Sequence, residues 1–342
     1  MFNLKHTLTS ALMLSALGSS YAAAADVNLY SYRQEFLIRP LLDAFTEKTG
    51  TQVNVVFAKS GLVERLKHEG RNTPADLLLT SDIAPLFDAK TANLLQPIGS
   101  DLVKQRVPDQ YRDSDDLWVG LTARSRIIYT SKTRVSPGEI SRYEDLTDPK
   151  WQGRICTRSG KHSYNLSLIG SMIVHKGEAP AEAWLSGLKN NLARKPQGND
   201  RAQVKAIHQG ECDIALGNSY YFGAMVTNQK APEQKEWADS VNLLFPNQDD
   251  RGAHMNISGA ALTLHSKNKE EAKQLIEFLT SEEAQRIYAE VNFEFPVVEG
   301  VAQSDLISRY MGEFKGDTVN LTDVAEQRAA AAKMVDRVGF DL

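Results

Sequence analysis

An alternation of β-rich and helical segments, beginning at Val27, most constrains what this chain can fold into. VNLYSY is a short run of strand formers, and FLIRPLLDAFTEKTG follows with apolar positions at helical spacing and a stop at Gly50. TQVNVVFA then reads as a strand, GLVERLKHEG as a helix, ADLLLTS as a strand and DIAPLFDAKTANLL as a helix. Strands separated by helices in this way predict parallel sheet flanked by helices. The same grammar resumes after Trp118, with WVGLTARSRIIYTS and GRICTRS as strands, NLSLIGSMIVHKG as a helix, and ECDIALGNSYYFGAM as a strand running into a turn. A later block gives a strand in HMNISGAALTLH, a helix from near Asn268 and another from Ser281 with acids in its first turn. In open sheets of this kind ligands bind outside the carboxyl ends of the strands, so the loops SYRQE, AKSG and TSDIA should face one cleft.

Ahead of the first strand, Lys5, an apolar stretch from about Leu8 to Leu17 and the small residues Ala23-Ala24-Ala25 read as a secretory signal peptide over residues 1–25. Its apolar run is well short of the ~20 residues that span a bilayer, and no later segment qualifies, so the expected protein is exported to the periplasm and not membrane-embedded. Removing such a leader from 342 residues leaves 317, longer than one hydrophobic core usually grows, and two lobes are expected. The 38 basic residues that then remain face 43 acidic ones, a net charge of −5. With no Lys/Arg run and no stacking aromatics among basic residues, nucleic acid is not an expected partner. Cys156 and Cys212 both lie in the exported part, where a disulfide between them and a pair of buried free thiols are the two readings. Their spacing does not suit a metal clip.

Three tyrosines carry the chemistry. Tyr220 and Tyr221 are adjacent in GNSYYFGAM, and Tyr164 precedes them in SGKHSYNLS. A bare tyrosine pair near a strand end is on general grounds half-buried packing with a wet hydroxyl. Here both segments follow strands of the second half, which puts all three phenols on one rim. A phenolate oxygen is a hard anionic donor, and three of them would neutralise a trivalent ion, which suits ferric iron better than a soft or divalent one. Other metal readings lack a signature. The seven histidines show no i, i+4 pair and no HExxH arrangement. His162 reads as a solvated loop residue near Tyr164, and His254 as a source of hinge hydrogen bonding. Ser159, Gly160 and Lys161 form a turn that could offer N–H groups to an anion, though turn chemistry alone explains them equally well. No GxSxG elbow, Walker loop or GxGxxG fingerprint is present, so an enzyme is not expected.

The order of YSYR, ADLLLTSD, WVGLTARSRIIY, RSGKHSYNLSL, GECDIALGNSYYFG, RGAHMNISGAAL and KEEAKQLIEFLTSEEAQ resembles the ferric-ion-binding periplasmic proteins of ABC importers over essentially the whole mature chain. The resemblance implies an α/β, type II periplasmic-binding-protein fold, with two α/β lobes around a ligand cleft joined by crossing hinge strands. The first lobe would take residues 26–121 plus 253–300 and the second residues 122–252 plus 301–342. It implies Tyr164, Tyr220 and Tyr221 as Fe(III) ligands, and delivery by a monomer to an inner-membrane permease and its ATPase. Many members add a His or Tyr ligand just after the first strand. In this chain Gln34 and Glu35 occupy that stretch, with Tyr32 beside them. Three phenolates leave part of an octahedral shell open for carbonate, another small anion or water. Arg33 is suited to grip such an anion through two parallel hydrogen bonds, and Arg124 is a second candidate. An interlobe ion pair is the alternative role for either arginine. Strand alternation would point Tyr30 and Tyr32 away from the face of Ser31 and Arg33. Two other functions remain compatible with the sequence: the same fold holding an oxyanion, organic cation or other small ligand, and a periplasmic enzyme on that scaffold.

Overall fold

A computed structural model describes residues 26–342; the signal peptide read over residues 1–25 lies outside the described residues. Strands β1 (Val27–Ser31), β2 (Val53–Phe57) and β3 (Leu77–Thr80) pair in parallel, with β1 in the middle. Helix α1 (Glu35–Thr49) buries Ile38, Leu41, Leu42 and Phe45, one stripe at helical spacing, and ends where Gly50 takes a φ of 77°. Helix α2 (Leu62–Glu69) and α3 (Ile83–Thr91) follow β2 and β3. The Asp82 carboxylate caps α3 by accepting from the Ala84 N–H. A short β4 (Leu95–Gln96) and α4 (Asp101–Arg106) lead to β5 (Val119–Ser131), which is buried along its whole length.

The second half of the chain contributes β6 (Ile155–Cys156), α5 (Ser163–Lys176), α6 (Glu178–Asn190) and α7 (Asp200–His208). Then come β7 (Ile214–Asn218), α8 (Tyr220–Val226), α9 (Glu233–Asp239) and β8 (Val241–Leu244). The chain returns along β9 (Met255–Thr263), followed by α10 (Lys269–Leu279), α11 (Glu282–Asn292) and β10 (Phe295–Pro296). Helices α12 (Asp305–Met311), α13 (Leu321–Glu326) and α14 (Arg328–Val338) finish it. The two helices expected from near Asn268 and at Ser281 start there, with Ser281 capping α11 through the Ala284 N–H.

The sheet order is β2-β1-β3-β9-β5-β7-β6. Alternating strands and helices predicted parallel pairing, and the first three strands obey. The centre does not, because β9 comes back antiparallel between β3 and β5. Strand β5 is shared by both halves. Around Arg124, which stands opposite Asn256, it pairs with β9, whereas from Arg126, opposite Asn218, it pairs with β7, and from Ile128 with β8 as well. These two strands therefore connect the halves and carry their polar residues into the space between them. One buried cluster surrounds Leu29, Phe45, Leu78, Trp118 and Ile276, and a second gathers Trp151, Ile169, Trp184, Leu216 and Met334.

Cys156 and Cys212 form a disulfide, with Cα atoms 5.9 Å apart, which ties β6 to the residues just before β7. Closing a loop of 56 residues removes conformational entropy from the unfolded chain. Reduction, or the double change Cys156→Ser and Cys212→Ser, is expected to lower the unfolding free energy by about 2–4 kcal/mol. Urea unfolding with and without reductant measures it, and superimposable curves would refute the stabilising role.

Candidate functional site

Tyr164 sits in the first turn of α5, and Tyr220 and Tyr221 open α8 directly beyond β7. The sequence predicted a helix from Asn165, which starts two residues earlier, and a turn at Tyr220-Tyr221, which is the first turn of a helix. The three side chains converge and remain half-buried. The Tyr164 and Tyr220 hydroxyls lie 3.1 Å apart, and the Tyr220 and Tyr221 rings have centroids 4.3 Å apart at an interplanar angle of 34°. Burial pushes the Tyr164 hydroxyl up to about 12, with Tyr221 adding to the shift and Arg124 opposing it. Burial also drives Tyr220 well above the ordinary phenol range, and the two neighbouring tyrosines reinforce this while Arg124 again works against it. Tyr164 and Tyr220 thus keep their protons at neutral pH.

Arg124 approaches from β5 and Arg33 from the loop between β1 and α1. Both donate to the Ser258 hydroxyl on β9, Arg124 at 3.1 Å. Arg33 is also paired with buried Glu294 at 2.7 Å, so part of its guanidinium is already engaged. Burial works against the Arg33 charge, and Glu294 more than offsets it. Arg124 is buried, has no ion-pair partner among the described residues, and leaves its Nε without a hydrogen bond. Gln34 and Glu35 are exposed at the start of α1, where Gln34 holds the N-cap position and Glu35 pairs with Arg39. Tyr32 lies just beyond the end of β1, and its hydroxyl accepts from the Val63 N–H at 3.0 Å. It lines a cavity of about 330 Å³ together with Lys59, Asp82, Ser163 and Arg328, so it faces the helix that carries Tyr164. Among the described residues no group of three or more His, Cys, Asp or Glu could hold a metal.

Three neighbours of the site were given a reading from sequence, and two of them differ from it. His162 is not a solvated loop residue: its Nδ1 caps α5 by accepting from the Tyr164 N–H at 3.2 Å, and its ring packs edge-on against Tyr164 at 4.5 Å. Burial pulls its pKa down to about 4, with Arg158 adding to the effect, so it is neutral and can accept. The Ser159–Gly160–Lys161 turn does hold an anion, but one from the chain itself. Asp341 receives the Ser159 hydroxyl and the Gly160 N–H, each at 2.7 Å. His254, read from sequence as a source of hinge hydrogen bonding, has its Nε2 2.9 Å from the Ser167 hydroxyl of α5.

Beneath the tyrosines lies a buried polar network that sequence reasoning missed. Asp200 pairs with both Arg126 and Arg158. Arg126 also donates to Asn165 at 2.8 Å and Asn218 at 3.0 Å, the residues flanking the tyrosine positions. The only signal was Arg126 itself, a charge next to the apolar pair Ile127-Ile128 of β5; its partner is distant in sequence. Phe293, at a φ of 57°, ends α11 and lies against Gly223 of α8, where an added Cβ would come within 2.4 Å of the ring. The tyrosine helix is thereby braced against the chain segment that supplies Glu294.

Residues 72–310 match a family model described as bacterial extracellular solute-binding protein. This chain belongs to that family. It is 42% identical over 316 residues to iron uptake protein A1 of Synechocystis, covering 92% of this chain and 87% of that one. Among solved structures, the apo ferric ion-binding protein A of Pasteurella haemolytica is 49% identical and covers 93% of this chain and 98% of its own, with a TM-score of 0.87. A Trichodesmium protein in complex with iron and citrate is 43% identical, with 92% and 99% coverage and a TM-score of 0.88. The solute-binding protein has the type II periplasmic-binding-protein fold that its sequence implied, and no described helix is long and apolar enough to cross a membrane.

Proposed function

We propose that this solute-binding protein captures Fe(III) in the periplasm through the phenolates of Tyr164, Tyr220 and Tyr221 and delivers it to an ABC permease and its ATPase. The observation that carries the reading is the convergence of the three phenols from two separate helices, with two hydroxyls 3.1 Å apart. Hard anionic oxygens in that number match the charge and hardness of ferric iron. The similarity to proteins named for iron uptake and ferric ion binding points the same way.

In this reading residues 26–121 plus 253–300 form one lobe and 122–252 plus 301–342 the other, and the crossings of β5 and β9 act as the hinge. Closure brings Tyr32 and Arg33 of the first lobe over the metal, where Arg124 already stands in the tyrosine lobe. Arg124 is the better holder of carbonate or another synergistic anion, because Arg33 is engaged by Glu294 while Arg124 has no carboxylate of its own among the described residues. The protein acts as a monomeric carrier, not an enzyme, and turnover in place of stoichiometric uptake would argue against it.

Titration of the iron-free protein with ferric citrate is expected to give a visible tyrosinate-to-iron absorption band that saturates at one equivalent. The pH dependence follows from protonated phenols in the free protein, Tyr164 with its pKa raised to about 12. Each phenolate formed on binding releases a proton, so affinity rises with pH and falls as acid is added, by up to about tenfold per proton per pH unit. A colourless titration, or iron release indifferent to pH, would sink the phenolate site.

A further inference from the structure

We infer that Asp200 is a positioning residue for the tyrosine site, acting through Arg126, Arg158 and two asparagines; this rests on the ferric reading above. Asp200 is fully buried at the start of α7, away from both tyrosine helices in sequence. One carboxylate oxygen takes Arg126 and, at 3.1 Å, the N–H of Asn218; the other takes Arg158. Arg126 extends the network to the side-chain oxygens of Asn165 and Asn218. Asn165 in turn donates to Thr157 at 3.1 Å and to the carbonyls of Arg158 at 3.0 Å and Ser159 at 3.1 Å. The residue next to Tyr164 and the residue two before Tyr220 are therefore fixed to one carboxylate.

The network also sets the charge beneath the phenols. The Arg158 guanidinium lies 5.2 Å from the Tyr164 ring centroid and that of Arg126 6.0 Å. Two arginines against one carboxylate leave a net positive charge under a ring that must become a phenolate. A buried ion triad is a poor device for stability alone, since apolar residues of similar volume often serve as well. Groups standing behind metal ligands, by contrast, orient them and tune their basicity. Asp200 is placed to do both, because it spans the two segments whose hydroxyls must meet.

The test compares wild type, Asp200→Asn, Arg158→Gln and Asp213→Asn for ferric affinity in citrate competition, the position and intensity of the visible band per bound iron, and folding by circular dichroism. Asp213 pairs with Arg134 and Arg154 in the same half of the protein and serves as a control for loss of an ion pair. Asp200→Asn is expected to lower ferric affinity about 10–100-fold and to shift the band, with Arg158→Gln also lowering affinity, by less, and shifting the band. Asp213→Asn should leave band and affinity unchanged whatever it does to melting. A folded Asp200→Asn protein with wild-type affinity and band would overturn the inference. Should Asp200→Asn fail to fold, Arg158→Gln, which keeps the Arg126 pair, decides by the same two readings. A wild type that takes up no iron would instead overturn the ferric reading, and the inference with it.

Discussion

A protein carrying Tyr220→Phe and Tyr221→Phe is expected to take up ferric iron at least about a thousandfold more weakly than the wild type, a loss of about 4 kcal/mol, and to remain colourless on titration. Both substitutions keep ring volume and packing. The two rings touch each other at 4.3 Å between centroids, a contact that phenylalanine preserves. Two of the three hard anionic donors disappear, together with the hydrogen bond between Tyr164 and Tyr220. With the ring packing kept, the variant should melt close to the wild-type temperature while losing its cargo. Measured affinity and melting temperature together separate this from general damage: a variant that lost binding only because it unfolded, or one that still coloured at one equivalent, would contradict the assignment.

The second large effect concerns Glu294. Its carboxylate is 5% exposed, pairs with Arg33 at 2.7 Å and accepts from Thr122. Burial alone would push its pKa up, but the charges of Arg33 and Arg124 and the Thr122 hydroxyl prevail, holding it below the ordinary carboxylate range. Glu294→Ala leaves two buried guanidiniums with no carboxylate, and the expected loss of unfolding free energy is about 3–5 kcal/mol. Combining it with Arg33→Met should cost less than the two single changes added together, since the stranded charge is then gone. The sign with pH follows from the depressed pKa. Stability from this pair is present above the ordinary carboxylate range and is lost as pH falls through the folded value, so wild type and Glu294→Ala should converge in acid. Urea unfolding at neutral and acid pH measures both points; additive single and double variants would show that the two side chains are not coupled.

Much of this was legible in local sequence. Hydrophobic period and glycine stops marked β1, α1, β2, α2 and β3 within a few residues, since each of those signals lies inside the element it marks. The tyrosines could be read because their chemistry depends on residue type, and their convergence because each follows a strand in the same half. The features that stayed hidden depend on distant partners. Arg33 drew attention as an anion clamp, yet its carboxylate comes from residue 294, 261 positions along the chain. Arg126 and Asp200 are 74 residues apart, and nothing near either announces the other. Gln34 and Glu35 occupy the expected place in the chain, but nothing local showed that helix α1 begins there, with Gln34 at its N-cap and Glu35 paired to Arg39. The antiparallel β9 was missed for a related reason: alternation predicts the next element after a strand, not which strand returns to sit beside it.

That return has a kinetic consequence. Residues 255–263 form the central strand between β3 and β5, so the sheet stays split until most of the chain is available. Pairings such as Leu77 with Leu262 span 185 residues, a loop whose closure entropy must be met before the contacts are gained. A fragment ending before Met255 would expose β3 and β5 as bare edges, with no strand between to cover them. In the exported protein proposed here, such late completion would leave most of the nascent chain slack enough to be threaded, and make the folded carrier an all-or-none product of the far side of the membrane.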